Sequence, residues 1–129
     1  MLNDVKKRLE SFGYKIQPND DFALGFCIGK VGNQIKNFCN IEEIPEELNF
    51  AYIDMVCSEF LLGKKSTGNL TLNDIDLNSP AIKSISEGDT SVNFYVEGSQ
   101  TAEQKLDNFI MYLSDKYKMN LYKYRRFTW

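Results

Sequence analysis

The sequence predicts a mainly α-helical fold: a small helical bundle with a long central loop, one β-hairpin and an extended C-terminal arm. Four segments repeat apolar residues every three or four positions, which is the helical pattern. A polar stretch from Lys64 to Pro80 lacks that period, and residues 82–96 alternate apolar and polar positions around a glycine-containing turn. The length of 129 residues and the hydrophobic content of 43% suit one domain with an ordinary core.

The first two predicted helices span Leu2 to Phe12 and about Asp20 to Cys39. The second carries an apolar seam at alternating steps of four and three residues, and a second stripe made of Gly25, Gly29 and Gly32. Each glycine inside a helix costs about 1 kcal/mol relative to alanine, so three on one stripe require an explanation. Two explanations stay open: a close helix crossing within the subunit, or a close contact between subunits.

The third predicted helix, Leu48 to Leu62, is apolar on nearly all faces and is expected to end at Gly63. Such a helix is either central in its domain or shared with a neighbouring chain. A last helix begins at Thr101, where a Thr-x-x-Gln capping pattern precedes an apolar stripe that ends at Tyr117. Residues 1–117 are therefore expected to form the domain, with the hairpin at about 82–96, and residues 118–129 the arm.

The composition excludes several kinds of chemistry. The chain has no histidine, which removes histidine-dependent nucleophile systems and imidazole-bound zinc. Cys27, Cys39 and Cys57 are an odd number at spacings that fit no disulfide framework or metal clamp, and their apolar surroundings predict buried thiols. No apolar run approaches the roughly 20 residues of a membrane span. The sequence predicts no enzyme, no cofactor, no metal and no membrane contact.

Charge is distributed unevenly along the chain. Between residues 37 and 63 there are six acids and no base, whereas residues 116–129 hold five bases and no acid. Aromatic residues alternate with the bases of the arm, a pattern that serves either nucleic-acid stacking or anchoring in a protein groove. A protein groove is favoured, because the rest of the chain is acidic and lacks a basic footprint for nucleic acid.

The order of these elements resembles the phage head–tail connector (adaptor) family over roughly residues 20–96. The likeness rests on two central helices joined by a short turn, followed by the predicted hairpin. The residues that carry it are Asp21, Leu24, Ile28, Ile35, Phe38, the Ile44-Pro45-x-x-Leu48 turn, Ala51, Phe60 and the Ile85-x-x-Gly88-Asp89-x-Ser91-Val92 passage. The amino-terminal helix, the glycine stripe and the aromatic-basic arm depart from the family pattern.

The resemblance implies a non-enzymatic virion component that forms a ring of its own copies, expected to be dodecameric, between portal and tail. Its partners would be the portal protein above and a stopper or tail-terminator protein below, with DNA passing through without sequence-specific binding. It would occupy the head–tail interface of the virion, and the host cytoplasm during assembly.

Within such a ring, the resemblance together with the residue pattern predicts separate roles for individual residues. The portal-binding residues would be Tyr122, Lys123, Tyr124, Arg125, Arg126, Phe127 and Trp129. The subunit interface would include Gly25, Gly29, Gly32, Phe50, Ile53, Cys57 and Phe60. The channel-facing residues would be Glu87, Gly88, Asp89 and Glu97, whose acids would repel DNA phosphates.

Two other functions remain open. One is a small cytoplasmic regulator that binds nucleic acid through the basic-aromatic tail, which would give a salt-dependent affinity for DNA. The other is a small catalytic domain that uses Asp or Glu, which would require a pocket with perturbed carboxylates.

Overall fold

The computed structural model of the chain describes residues 1–70, 74–76, 102–115 and 118–125. These residues contain the helices α1 (Leu2–Ser11), α2 (Asp20–Cys39), α3 (Asn49–Ser66), α4 (Ala102–Asp115) and α5 (Lys118–Lys123). A short 3₁₀ helix, Glu46–Leu48, leads into α3. Helix α3 packs against α1, α2 and α4, whereas α5 packs against α2. The core therefore surrounds α3.

The central place of α3 explains its composition. The helix is apolar on most faces because three other helices cover it. Its buried apolar residues are Ala51, Ile53, Val56, Cys57, Phe60 and Leu61. Burying one large apolar side chain stabilises a fold by about 1.5–3 kcal/mol, so this helix is a main source of stability.

The bounds predicted for α2, Asp20 to Cys39, are confirmed. The helix ends because Asn40 adopts a left-handed backbone with φ of 58°, a conformation that asparagine tolerates well. Helix α1 begins as predicted at Leu2 and ends one residue early, at Ser11. Phe12 then turns into the core, where its ring meets Phe109 of α4 edge to face at 5.0 Å between centroids.

Two polar contacts made with buried side chains of α3 fix the helices around it. Arg8 Nε of α1 donates to Asp54 Oδ1 at 2.8 Å, and the Asp54 side chain is only 4% exposed. The Ser58 hydroxyl donates to the Ile110 carbonyl of α4 at 2.7 Å. A buried polar group without a partner is costly, so these contacts restrict how α1 and α4 can lie on α3.

The predicted fold class is wrong in its strand content and in its arm. The described residues contain helices but no strand, and the hairpin placed at about 82–96 lies outside them. Gly63 does not end α3, which continues to Ser66. The described part of the predicted central loop is also packed: Leu70 and Ile75 are buried, and Asp76 N–H donates to the Phe12 carbonyl at 2.8 Å.

The start of the C-terminal arm is helical rather than extended. Helix α5 lies on α2, Leu121 is buried, and the Cys39 thiol donates to the Leu121 carbonyl at 3.4 Å. The physical reason is that Leu121 continues the apolar spacing of α4 by one further turn and has the end of α2 to pack against. Residues 118–125 therefore belong to the helical body.

Candidate interaction surface

A groove with apolar walls lies between α2 and α3. Its volume is about 490 Å³. Its lining residues are Phe22, Ala23, Phe26, Cys27, Glu59, Phe60, Gly63, Lys64, Thr67 and Asn69. Phe22 is 85% exposed and Phe26 is 65% exposed, whereas Phe60 is buried at the base. We call this feature the aromatic groove.

The three glycines of the α2 stripe have two different surroundings. A Cβ built on Gly25 or Gly29 meets nothing within 4 Å, so this part of the helix is open to solvent. A Cβ on Gly32 would lie 2.5 Å from the Tyr52 hydroxyl. That hydroxyl donates to the Ile28 carbonyl at 2.6 Å, passing over the glycine to reach the backbone. Gly32 thus serves a close crossing within the subunit, whereas Gly25 and Gly29 have no such role.

At the polar end of the aromatic groove, the lining residue Lys64 pairs with a buried carboxylate, Asp20. Asp20 is 1% exposed; its Oδ2 accepts hydrogen bonds from the Tyr14 hydroxyl at 2.8 Å and from Gln17 N–H at 2.9 Å. Lys64 Nζ lies 2.8 Å from its Oδ1. Burial alone would raise the pKa of the Asp20 carboxyl, but the contacts from Lys64, Gln17 and Tyr14 outweigh it and lower that pKa.

This carboxylate cluster is structural in character. Asp20 is the first residue of α2, so its negative charge also interacts favourably with the partial positive charge at the start of the helix. Burial, together with the neighbouring Asp20 carboxylate, raises the pKa of the Tyr14 hydroxyl, which therefore stays protonated as a donor. The Tyr14 ring also packs edge to face on Phe60, at 5.5 Å between centroids. The cluster joins the start of α2 to the end of α3 and so sets the width of the groove.

The rim of the groove carries a charged pair, Lys30 and Glu59, whose Nζ and Oε1 atoms are 2.6 Å apart. Cys27 lies just beneath it. Burial raises the pKa of the Cys27 thiol, and the Glu59 carboxylate adds to this, so the thiol is held in its unreactive form. The groove therefore offers apolar contact area with a polar rim rather than an activated nucleophile.

A second cleft lies on the other side of α3, beside the Arg8–Asp54 ion pair. Its lining residues are Asp4, Lys7, Arg8, Ser11, Phe50, Ile53 and Asp54. Phe50 stands at its edge and is 77% exposed, although it belongs to the first turn of the most buried helix. We call this side chain the Phe50 knob.

The predicted subunit-interface residues do not lie on one surface. Gly25 and Gly29 are open on α2, and Phe50 protrudes beside the second cleft. The remaining four face the interior of the subunit: Gly32 meets Tyr52, and Ile53, Cys57 and Phe60 are buried among its own helices. Packing within one chain accounts for the burial of these four residues, and their assignment to a subunit interface stays a prediction.

The predicted portal-binding residues divide in a similar way. The Tyr122 ring meets the Phe38 ring of α2 edge to face, at 5.2 Å between centroids. The Arg125 guanidinium lies 5.1 Å from the centroid of the Phe38 ring. Tyr124 packs partly buried against the core, and Lys123 is exposed. Arg126, Phe127 and Trp129 lie outside the described residues, as do the predicted channel-facing residues Glu87, Gly88, Asp89 and Glu97.

Sequence reasoning did not single out Phe22 and Phe26, the two exposed large hydrophobic residues of the groove. A signal was present: both lie off the apolar seam of α2, on the same face as Gly25 and Gly29. Helical spacing of large apolar residues on a second face indicates a second contact surface.

Among the described residues there is no group of three or more Cys, Asp or Glu side chains that could hold a metal ion. None of the helices described combines the length and apolar character needed to cross a bilayer.

Comparison of the chain with protein-family models, with curated proteins and with solved structures finds no match in any of the three.

Proposed function

We propose that the chain is a structural subunit that assembles with its own copies into a ring between a phage portal and tail, as the connector resemblance implies. The observation that carries this proposal is the exposure of large apolar side chains on a folded helical body. Phe22, Phe26, Phe50 and Leu62 are each about half exposed or more. Exposed apolar patches of this kind are typical of protein–protein contact sites.

The chemistry of the surface supports an assembly role. The charged side chains along the groove are engaged with one another, Lys30 with Glu59 and Lys64 with Asp20. What remains available to a partner is aromatic and aliphatic area with a polar rim, the usual composition of an interface. Helix α3, buried on most sides, provides a rigid support for both exposed aromatic features.

The portal contact is proposed for the C-terminal end of the chain, where bases and aromatic residues alternate. Tyr122 and Arg125 already pack on α2. The anchors are therefore proposed to be Arg126, Phe127 and Trp129, which lie outside the described residues. Aromatic and arginine anchors often cost 2 kcal/mol or more when truncated, about thirtyfold in affinity.

The test compares the full chain with a chain that ends at Arg125, which keeps every described residue. Binding to the portal protein of the same phage is measured by co-sedimentation, and folding by circular dichroism. We expect the truncated chain to keep its helical spectrum and to lose portal binding by at least about thirtyfold. A full chain that fails to bind portal at any salt concentration would contradict the proposal.

The same two chains separate the nucleic-acid function from the connector function. A regulator would bind a short DNA duplex with an affinity that falls steeply with salt, and the truncation would abolish that binding. The connector proposal predicts weak DNA binding that is the same for both chains. Salt-dependent DNA binding without portal binding would replace the proposed function with the regulator.

A further inference from the structure

A third cleft lies where the end of α4 and helix α5 meet α2 and α3. Its volume is about 440 Å³. Ile35 and Leu121, which are buried, form its base, and the half-buried Phe38 and Met55 form apolar walls. We call this feature the α5 cleft.

The end of the chain begins beside this cleft. The guanidinium of Arg125, the last described residue, lies over the ring of Phe38, a wall of the cleft. The four residues that follow, numbered 126–129, form the C-terminal tail, and their backbone spans at most about 14 Å when fully extended. The aromatic groove is further away, since Phe26 lies about 18 Å back along α2 from Phe38. The α5 cleft is therefore the apolar opening within reach of the tail.

The pattern of the tail suits the chemistry of the α5 cleft. Its two aromatic residues, Phe127 and Trp129, are each preceded by a polar residue. Alternate side chains of an extended segment lie on the same side, so both rings can face one surface. The cleft offers apolar walls to these rings, and its two uncharged polar residues, Gln34 and Ser114, supply an amide and a hydroxyl that can accept the indole N–H.

We propose that in the free chain Phe127 and Trp129 fold back into the α5 cleft of their own subunit. A short tether holds the tail near the cleft at an effective concentration in the millimolar range, so even a weak contact is populated. The docking itself does not depend on the proposed function. Because the same two residues are the proposed portal anchors, portal binding would have to withdraw them from the cleft, and this consequence rests on the proposed function.

The test uses the fluorescence of Trp129, the only tryptophan in the sequence. Emission maximum and acrylamide quenching are measured on the purified full chain without portal, with the same chain unfolded in urea as the exposed reference. Ser114→Phe places a ring in the α5 cleft, and Met111→Phe adds the same ring at a 60% exposed position of the same helix as the matched control. Circular dichroism checks that each variant keeps its helices.

We expect Trp129 in the wild type and in Met111→Phe to emit at shorter wavelength than in urea and to be quenched severalfold less. In Ser114→Phe, both values should approach those of the urea reference, because the cleft is filled. Phe127→Ser changes no described residue and should also increase the quenching of Trp129, so it tests the docking even if Ser114→Phe fails to fold.

Three results would overturn the docking. Wild-type Trp129 quenched as readily as in urea would show that the tail does not dock, as expected if residues 77–101 or another molecule filled the cleft. Protection that survives Ser114→Phe in a folded chain would place the tail elsewhere. Protection that appears only as the protein concentration rises would place the tail on another copy. Since this assay contains no portal, its failure is separate from failure of the portal-binding test.

Discussion

Replacing Gly32 by alanine should destabilise the folded chain, whereas the same change at Gly25 or Gly29 should stabilise it. All three glycines lie in one helix and on one stripe, so intrinsic helix propensity favours alanine at each by about 1 kcal/mol. They differ in their surroundings, since only at Gly32 does the added Cβ meet another side chain, the Tyr52 hydroxyl at 2.5 Å.

The magnitude at Gly32 follows from the contact that the methyl group displaces. Moving the Tyr52 ring breaks its hydrogen bond to the Ile28 carbonyl, worth about 0.5–1.5 kcal/mol, and overpacking adds about 1–3 kcal/mol. After the gain in helix propensity, the net loss in free energy of unfolding is about 0.5–3.5 kcal/mol. Gly25→Ala and Gly29→Ala should each gain about 0.5–1 kcal/mol.

Urea unfolding followed by circular dichroism at low protein concentration measures all three variants on the monomer. A second variant sharpens the test: with Tyr52→Phe in the background, the hydroxyl is absent and Gly32→Ala should cost less than it does alone. The reasoning is refuted if Gly32→Ala is as stabilising as the other two, or if its cost is unchanged in the Tyr52→Phe background.

Three further predictions concern the core and the arm. Asp20→Asn should lower the free energy of unfolding by about 3 kcal/mol at neutral pH, because it breaks a buried ion pair. The folded-state pKa of Asp20 is lowered, so the stability that its charge contributes is present above about pH 4 and is lost as the pH falls. Below that pH, the urea midpoint of the variant should therefore decline less steeply than that of the wild type. Tyr122→Ala should lower the free energy of unfolding by about 0.5–1.5 kcal/mol, because it removes the ring contact with Phe38. An unchanged urea midpoint would contradict the packing of Tyr122 on α2. A thiol reagent at pH 8 should label Cys27, which is 9% exposed, well before Cys57, which is fully buried, and equal rates would contradict the described packing.

Local periodicity was sufficient to predict those parts of the fold that local residues decide. The bounds of α2 and the start of α1 agree with the predictions, because the apolar spacing that decides them lies within each segment. The end of α3 was missed because Lys64, one residue past Gly63, is held in the helix by a buried carboxylate distant in sequence. The helix at the start of the arm was not predicted, because it depends on the packing of Leu121 against the end of α2, a segment distant in sequence.

The candidate surface could be predicted only in part for the same reason. Phe50 was selected from the sequence and is exposed, but whether a glycine is open or filled depends on which side chain arrives from another helix. No spacing rule places Tyr52 over Gly32 rather than over Gly29. The exposure of Phe22 and Phe26 likewise follows from which face of α2 its neighbours cover.

Electron microscopy of the chain bound to the portal protein tests the central claim most directly. We predict class averages that show a closed ring of chain copies stacked on the portal. Single copies scattered on the portal, or a portal that carries no density for the chain at all, would contradict it.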